Sequence, residues 1–272
     1  EGVRLGDLDL SEIGEGGAAA EKKKAMIAAA GSIPGVIAAG TVNRTPFTGG
    51  LHGIPIFRPG TTEFKLNNSV LAPYVFTISP GYLEAAGTRM LSGRDVSWHD
   101  TIRTPYVAVV NETFAQELWG RAPAIGQHFV LWGHLTEVVG VMEDGKYHDI
   151  QEPPQPVAYV ALPQSENTEA VLLVRSRLPP NQIAVALQRT LSGFAPDMQV
   201  RLQRWSDSLD SELFPARTAT VALGVMGLLA AMLALTGIFG MAAYSVSRRM
   251  KELGIRVALG ARQRQVMSAA VG

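Results

Sequence analysis

Cysteine is missing from all 272 residues, which excludes a disulfide framework and thiolate metal sites while leaving the redox compartment open. An excess of one charge is missing too. Twenty-four Lys and Arg balance 24 Asp and Glu, so the positive surplus that marks a nucleic-acid partner is absent. The start, EGVRLGDLDL, lacks a basic n-region, an apolar h-region and an initiator Met, so it is not a signal peptide and reads as part of a longer protein. Motifs for chemistry are equally thin. His52, His99, His128, His134 and His148 form no H-E-x-x-H or other helical ligand pair, and no G-x-S-x-G elbow occurs. Asp95, His99 and Asp100 lie together, but beside Gly93 and Arg94 they form a polar turn. The expectation is no catalytic residue, no metal and no cofactor.

One stretch imitates a nucleotide site. VVGVMEDGKYHDI (Val138–Ile150) places Gly140, four residues, Gly145 and Lys146 in the spacing of a phosphate-binding loop. Tyr147 stands where the magnesium-holding hydroxyl belongs, Glu143 and Asp144 would repel phosphate, and Pro153 and Pro154 deny the long helix that should follow. A hairpin fits better, with a strand over Thr136–Met142, a turn at Asp144-Gly145 and a returning strand from Lys146.

A long apolar run is what the chain does have. Thr218–Ser247 is 30 consecutive residues without Asp, Glu, Lys or Arg, against the ~20 needed to cross a bilayer. Nine Leu, Ile, Val or Phe residues between Thr218 and Tyr244, at roughly 0.3–0.6 kcal/mol each, favour insertion by about 4 kcal/mol. The competing reading, a buried core helix, seldom runs so long without charge. The next segment, RRMKELGIRVALGARQRQV, carries six Lys and Arg against Glu252 alone. That asymmetry predicts a cytoplasmic end and an extracytoplasmic N-terminal part.

Upstream, two β-α-β units are predicted. The first has strands at Leu5–Leu10 and Val36–Val42 around an Ala-rich helix, Gly17–Ala30, with Lys22 to Lys24 as its solvated face; the second has strands Ala170–Arg175 and Met198–Leu202 around a helix at Asn181–Leu191. With strands parallel within each unit, they suggest an α+β, ferredoxin-like sheet with helices on one face. Residues 45–164 read as a mostly β inserted lobe with strands at Tyr74–Ser79, Tyr106–Val110, Thr136–Met142 and Val157–Ala161. Two short helices punctuate it, one capped by Ser79 and ended by Gly87, the other capped by Asn111 and ended by Gly120.

Four blocks in order resemble the permeases of MacB/FtsX-type ABC transporters: ISPGYLEAAGTRMLSGRDVSWHD (Ile78–Asp100), VAVVNETFAQELWGRAPAIGQHF (Val107–Phe129), EVVGVMEDGKYHDIQEPPQPVAYVALPQ (Glu137–Gln164) and GIFGMAAYSVSRRMKELGIRVALGARQRQV (Gly237–Val266). The resemblance implies a periplasmic core domain over residues 1–214, a transmembrane helix over 215–247, a cytoplasmic coupling helix over 248–265 and the start of a second span at 266–272. It implies no enzymatic activity in this chain, whose partners would be a cytoplasmic ABC ATPase, a second permease copy, the lipid bilayer and a periplasmic adaptor. Coupling would fall to Glu252, Gly254, Ile255, Arg256, Ala258, Leu259, Gly260 and Ala261. Beside them, Met250, Leu253 and Val257 at i, i+3 and i+7 form an apolar stripe, and Glu252 precedes Arg256 in the favourable ion-pair order. Two other readings stay open: an FtsX-like adaptor that regulates an extracytoplasmic partner such as a cell-wall hydrolase, and a membrane-anchored enzyme.

Overall fold

The computed structural model describes residues 3–7, 17–47, 50–165, 170–194 and 201–258. The chain divides into two units, Glu1–Glu212 and Leu213–Gly272. The strands of the first are β1 (Val3–Asp7), β2 (Val36–Val42), β3 (Tyr74–Ile78), β4 (Met90–Gly93), β5 (Tyr106–Asn111), β6 (His128–Leu131), β7 (His134–Met142), β8 (Val157–Ala161), β9 (Val171–Ser176) and β10 (Arg201–Arg204). Its helices are α1 (Gly17–Gly31), α2 (Tyr82–Ala86), α3 (Glu112–Trp119) and α4 (Pro180–Leu191), and α5 (Trp205–Ala258) follows β10 directly.

Strands β10-β1-β9-β2 stand side by side and every pair is antiparallel, which is the ferredoxin-like arrangement. The parallel pairing expected within each β-α-β unit is not made. A helical crossover sends β1 and β2 in the same direction but leaves a gap between them, and β9 fills it. Pro180 opens α4 at its first turn, where its missing N–H costs nothing. Ile183, Leu187 and Leu191, spaced by four, then meet Met26, Ile27 and Ala30 of α1 and Leu172 and Val174 of β9 in one buried cluster. Lys22 to Lys24 do not share a solvated face, because successive helical residues turn by about 100°. Lys24 is exposed and lies 5.6 Å over the Trp98 ring, whereas Lys23 is only 2% exposed and its burial lowers the ammonium pKa.

The inserted residues continue the same sheet. β2 meets β3 at a single register pair, Val42 opposite Ile78, after which the order runs β3-β8-β5-β7. On the far edge of β7, β6 pairs along His134–Glu137 and β4 along Gly140–Met142. A shared core holds the two halves: Val42 and Leu173 pack in one cluster with Phe76, Val109 and Tyr159. A further cluster lies beneath α3, where Phe114 and Phe129 pack with Ala108, Val110 and Val160.

Asn111 caps α3 as expected, its Oδ1 accepting the Phe114 N–H at 3.1 Å, and Gly120 and Gly87 end α3 and α2. Ser79 does not cap α2. Its Oγ accepts the Thr41 N–H at 2.8 Å instead, binding β2 to the end of β3, and the left-handed Gly81 (φ 86°) starts the helix. The hairpin expected from Thr136 to Ile150 is also made differently. Residues 143–156 form no strand; β7 turns back on β6 through Trp132 and Gly133, both at positive φ.

Candidate functional site

Lys146, the residue that imitated a nucleotide site, donates to the Glu152 carbonyl within its own loop. Asp144 is spent on α3, accepting from the Thr113 N–H at 3.0 Å, the Thr113 hydroxyl at 2.7 Å and the Asn111 amide at 2.6 Å. The loop is therefore an internal brace. The polar turn expected at Asp95–Asp100 is present: Asp100, 7% exposed, receives both Arg94 guanidinium nitrogens at 2.8 Å and the Ser97 N–H at 2.7 Å. Burial raises the Asp95 pKa, and hydrogen bonds from the Val96 and Gly81 backbone oppose that shift.

Three tyrosines sit at the centre of the shared core. Tyr159 hydrogen-bonds both Tyr82 and Tyr147; the Phe76 ring centroid lies 5.4 Å from that of Tyr159 and 5.7 Å from that of Tyr147, and Tyr82 lies 5.9 Å from Tyr159. Desolvation pushes the Tyr147 phenol up to about 12 and raises those of Tyr82 and Tyr159 above the ordinary range as well. Such phenols stay neutral and lock the sheet rather than exchange protons with a substrate.

An open cavity lies elsewhere. A space of about 490 Å³ is floored by Val75, Val107 and Val160 and edged by Arg44, Trp132 and His134. Sequence reasoning missed it, although Trp-Gly at a tight hairpin turn, where Asn-Gly or Asp-Gly is usual, was a visible signal. Among the described residues no three His, Asp or Glu converge on a metal position.

In the second unit every residue from Thr220 to Lys251 is exposed, Phe239 by 75% and Leu233 by 74%. This run is long and apolar enough to cross a membrane, and its exposure along the whole length is unlike that of a core helix. The limits expected at 215–247 and 248–265 fall in one uninterrupted helix that is described as far as Ala258. Of the expected coupling residues, Met250, Gly254, Ile255 and Ala258 are helical and exposed, and Glu252, Leu253, Arg256 and Val257 are helical. Leu259, Gly260 and Ala261, with the segment expected at 266–272, lie outside the described residues.

The class so defined is an α+β domain, a ferredoxin-like sheet lengthened by an insert, followed in the chain by a helix long and apolar enough to cross a membrane. A family model described as MacB-like periplasmic core domain matches residues 19–192, and the chain belongs to that family, which is one of ABC-transporter permeases. Its N-terminal domain is accordingly of the periplasmic type. Two similar relatives are described as macrolide export ATP-binding/permease protein MacB. The one from Pasteurella multocida (strain Pm70) is 24% identical over 211 residues, covering 74% of this chain and 32% of the relative. The one from Azoarcus sp. (strain BH72) is 24% identical over 186 residues, covering 65% and 28%. This chain thus spans about a third of the length of these relatives. Among solved structures, the periplasmic region of MacB from Actinobacillus actinomycetemcomitans has a TM-score of 0.49 at 12% identity, over 70% of this chain and 82% of that one. The extracellular domain of the noncanonic ABC-type transporter YknZ from Gram-positive bacteria has a TM-score of 0.48 at 15% identity, over 75% and 99%.

Proposed function

We propose that the chain is part of a permease that carries ATP-driven motion of a cytoplasmic ABC ATPase through the membrane to the outer domain, which exports or extracts a substrate on the outer side. The permease works beside a second permease copy and a periplasmic adaptor, and ATP is hydrolysed on the partner. The observation that carries this reading is the unbroken helix Trp205–Ala258. At 1.5 Å per residue, its exposed charge-free part, Thr220–Ser247, is roughly 42 Å long, against about 30 Å of hydrocarbon. The helix therefore has length to spare beyond the bilayer, and its last turns carry the Met250, Leu253 and Val257 stripe. The basic flank orients those turns towards the cytoplasm, where the stripe docks on the ATPase with Glu252 and Arg256 at the rim of the contact.

Buried apolar anchors carry more binding energy than solvated rim charges. Joint replacement Leu253→Asp and Val257→Asp in the full-length permease should abolish capture of the ATPase and uncouple hydrolysis from transport without loss of membrane insertion, whereas Arg262→Ala should change little. Normal ATPase capture and export by the double variant at normal expression would reduce the segment to a topological collar.

A further inference from the structure

The β6–β7 turn places a bulky residue where the backbone disfavours one. Trp132 and Gly133 have φ of 51° and 83°, the double positive-φ geometry of a type I′ turn, in which Asn, Asp and Gly are the unstrained choices. A left-handed non-glycine residue costs on the order of 1–2 kcal/mol. Trp132 recovers little of this by packing, since it is 56% exposed. Its indole forms part of the mouth of the 490 Å³ cavity.

Among the described residues the cavity is one-sided in charge. Arg44 is half-buried and donates one hydrogen bond, 3.0 Å to the Gly50 carbonyl, out of the five donors of a guanidinium. Among the described residues no Asp or Glu lines the space and no carboxylate pairs with Arg44. The lining amides are already engaged: Asn43 Oδ1 accepts the Thr77 N–H at 2.9 Å, while Gln164 accepts from Val107 at 3.0 Å and donates to the Pro105 carbonyl at 2.7 Å. One wall is aromatic, because the His134 ring stacks on Tyr106 at 4.1 Å and 21°. Flat aromatic surface, an apolar floor and one cation with no carboxylate partner among the described residues converge in a space of the size that small ligands fill.

We propose that this cavity binds a small amphipathic anion, with its planar apolar body against Trp132 and the Tyr106–His134 stack and its carboxylate on Arg44. The strain at Trp132 is retained because the indole completes the ligand's aromatic wall. The site lies entirely in the unit Glu1–Glu212 and does not rest on the transport reading.

The experiment is calorimetric titration of the whole chain in lipid nanodiscs with 2-naphthoate and with its neutral isostere 2-naphthylmethanol, against empty nanodiscs. Saturable one-to-one binding of 2-naphthoate is expected, at least about tenfold tighter than that of the alcohol, since a charge-assisted hydrogen bond is at stake. Arg44→Gln should weaken naphthoate by a similar factor. Trp132→Asn should weaken it at least about fivefold while the thermal midpoint stays level or rises, because asparagine relieves the turn; a residue held only for structure would instead lower the midpoint. No saturable heat beyond empty nanodiscs, equal binding of acid and alcohol, or naphthoate affinity kept within twofold in either variant would each overturn the proposal.

Discussion

Replacing Asn111 with alanine tests whether one amide ties β5, α3, β8 and the 143–156 loop together. Asn111 is fully buried, and all its polar capacity is directed at different elements. Oδ1 accepts from the N–H groups of Phe114 at 3.1 Å and Val157 at 2.8 Å; Nδ2 donates to Asp144 Oδ1 at 2.6 Å and the Gln155 carbonyl at 2.7 Å. Loss of the cap costs about 1 kcal/mol. The Val157 N–H, buried at the start of β8, is left without this acceptor, at about 1–3 kcal/mol, and Gln155 and Asp144 each lose a donor. The sum is about 3–4 kcal/mol, a large share of the stability of an ordinary domain. Asn111→Ser separates the parts, because serine can still cap α3 but cannot reach Val157, Gln155 or Asp144. It should recover about 1 kcal/mol and remain about 2–3 kcal/mol below the parent. The assay is urea unfolding in mild detergent followed by near-ultraviolet circular dichroism, which reports the packed rings of the first unit. A loss under about 1 kcal/mol for Asn111→Ala, or full recovery in Asn111→Ser, would refute the four-way tie.

The tyrosine row should make the fold sensitive to alkali. Folded phenol pKa values above the ordinary 10 give stability that is complete below pH 10 and is lost as pH rises towards about 12, so absorbance at 295 nm should show the three buried phenols ionising together with unfolding; early independent ionisation would refute the burial. Gly40→Ala should cost about 3 kcal/mol by urea unfolding, because a Cβ there would meet the Tyr82 N at 2.4 Å and Cα at 2.5 Å, which is backbone that cannot swing aside. Gly120→Ala faces open space, but φ 64° with ψ −120° is a backbone region that glycine alone adopts readily, so it should cost about 2–3 kcal/mol through strain rather than contact. For topology, single cysteines are clean reporters in a chain that has none. In cells with a permeabilised outer membrane, Asn67→Cys should react with an impermeant thiol reagent and Lys251→Cys should not; the reverse pattern would overturn the proposed orientation.

Local periodicity and punctuation were enough for the sequence to determine many elements by itself. The bounds of β2 and β8, the Asn111 cap and the glycines ending α2 and α3 depend on a few adjacent residues, and the charge-free run after Thr218 depends on composition alone. The ferredoxin-like character was also legible, through two strand-helix-strand patterns at the ends of the core. Pairing was not. Only the folded chain decides that β9 separates β1 from β2, since neighbours in a sheet are chosen by burial across more than a hundred residues rather than by spacing. Tertiary demand also redirected Ser79 to Thr41, buried Lys23, and held residues 143–156 as a brace in place of a returning strand. The cavity beside Arg44 belongs to this second kind. Its floor comes from β3, β5 and β8, its aromatic rim from β5 and the β6–β7 turn, and its cation from the segment after β2. Those parts are far apart along the chain, and they converge only because one sheet aligns them.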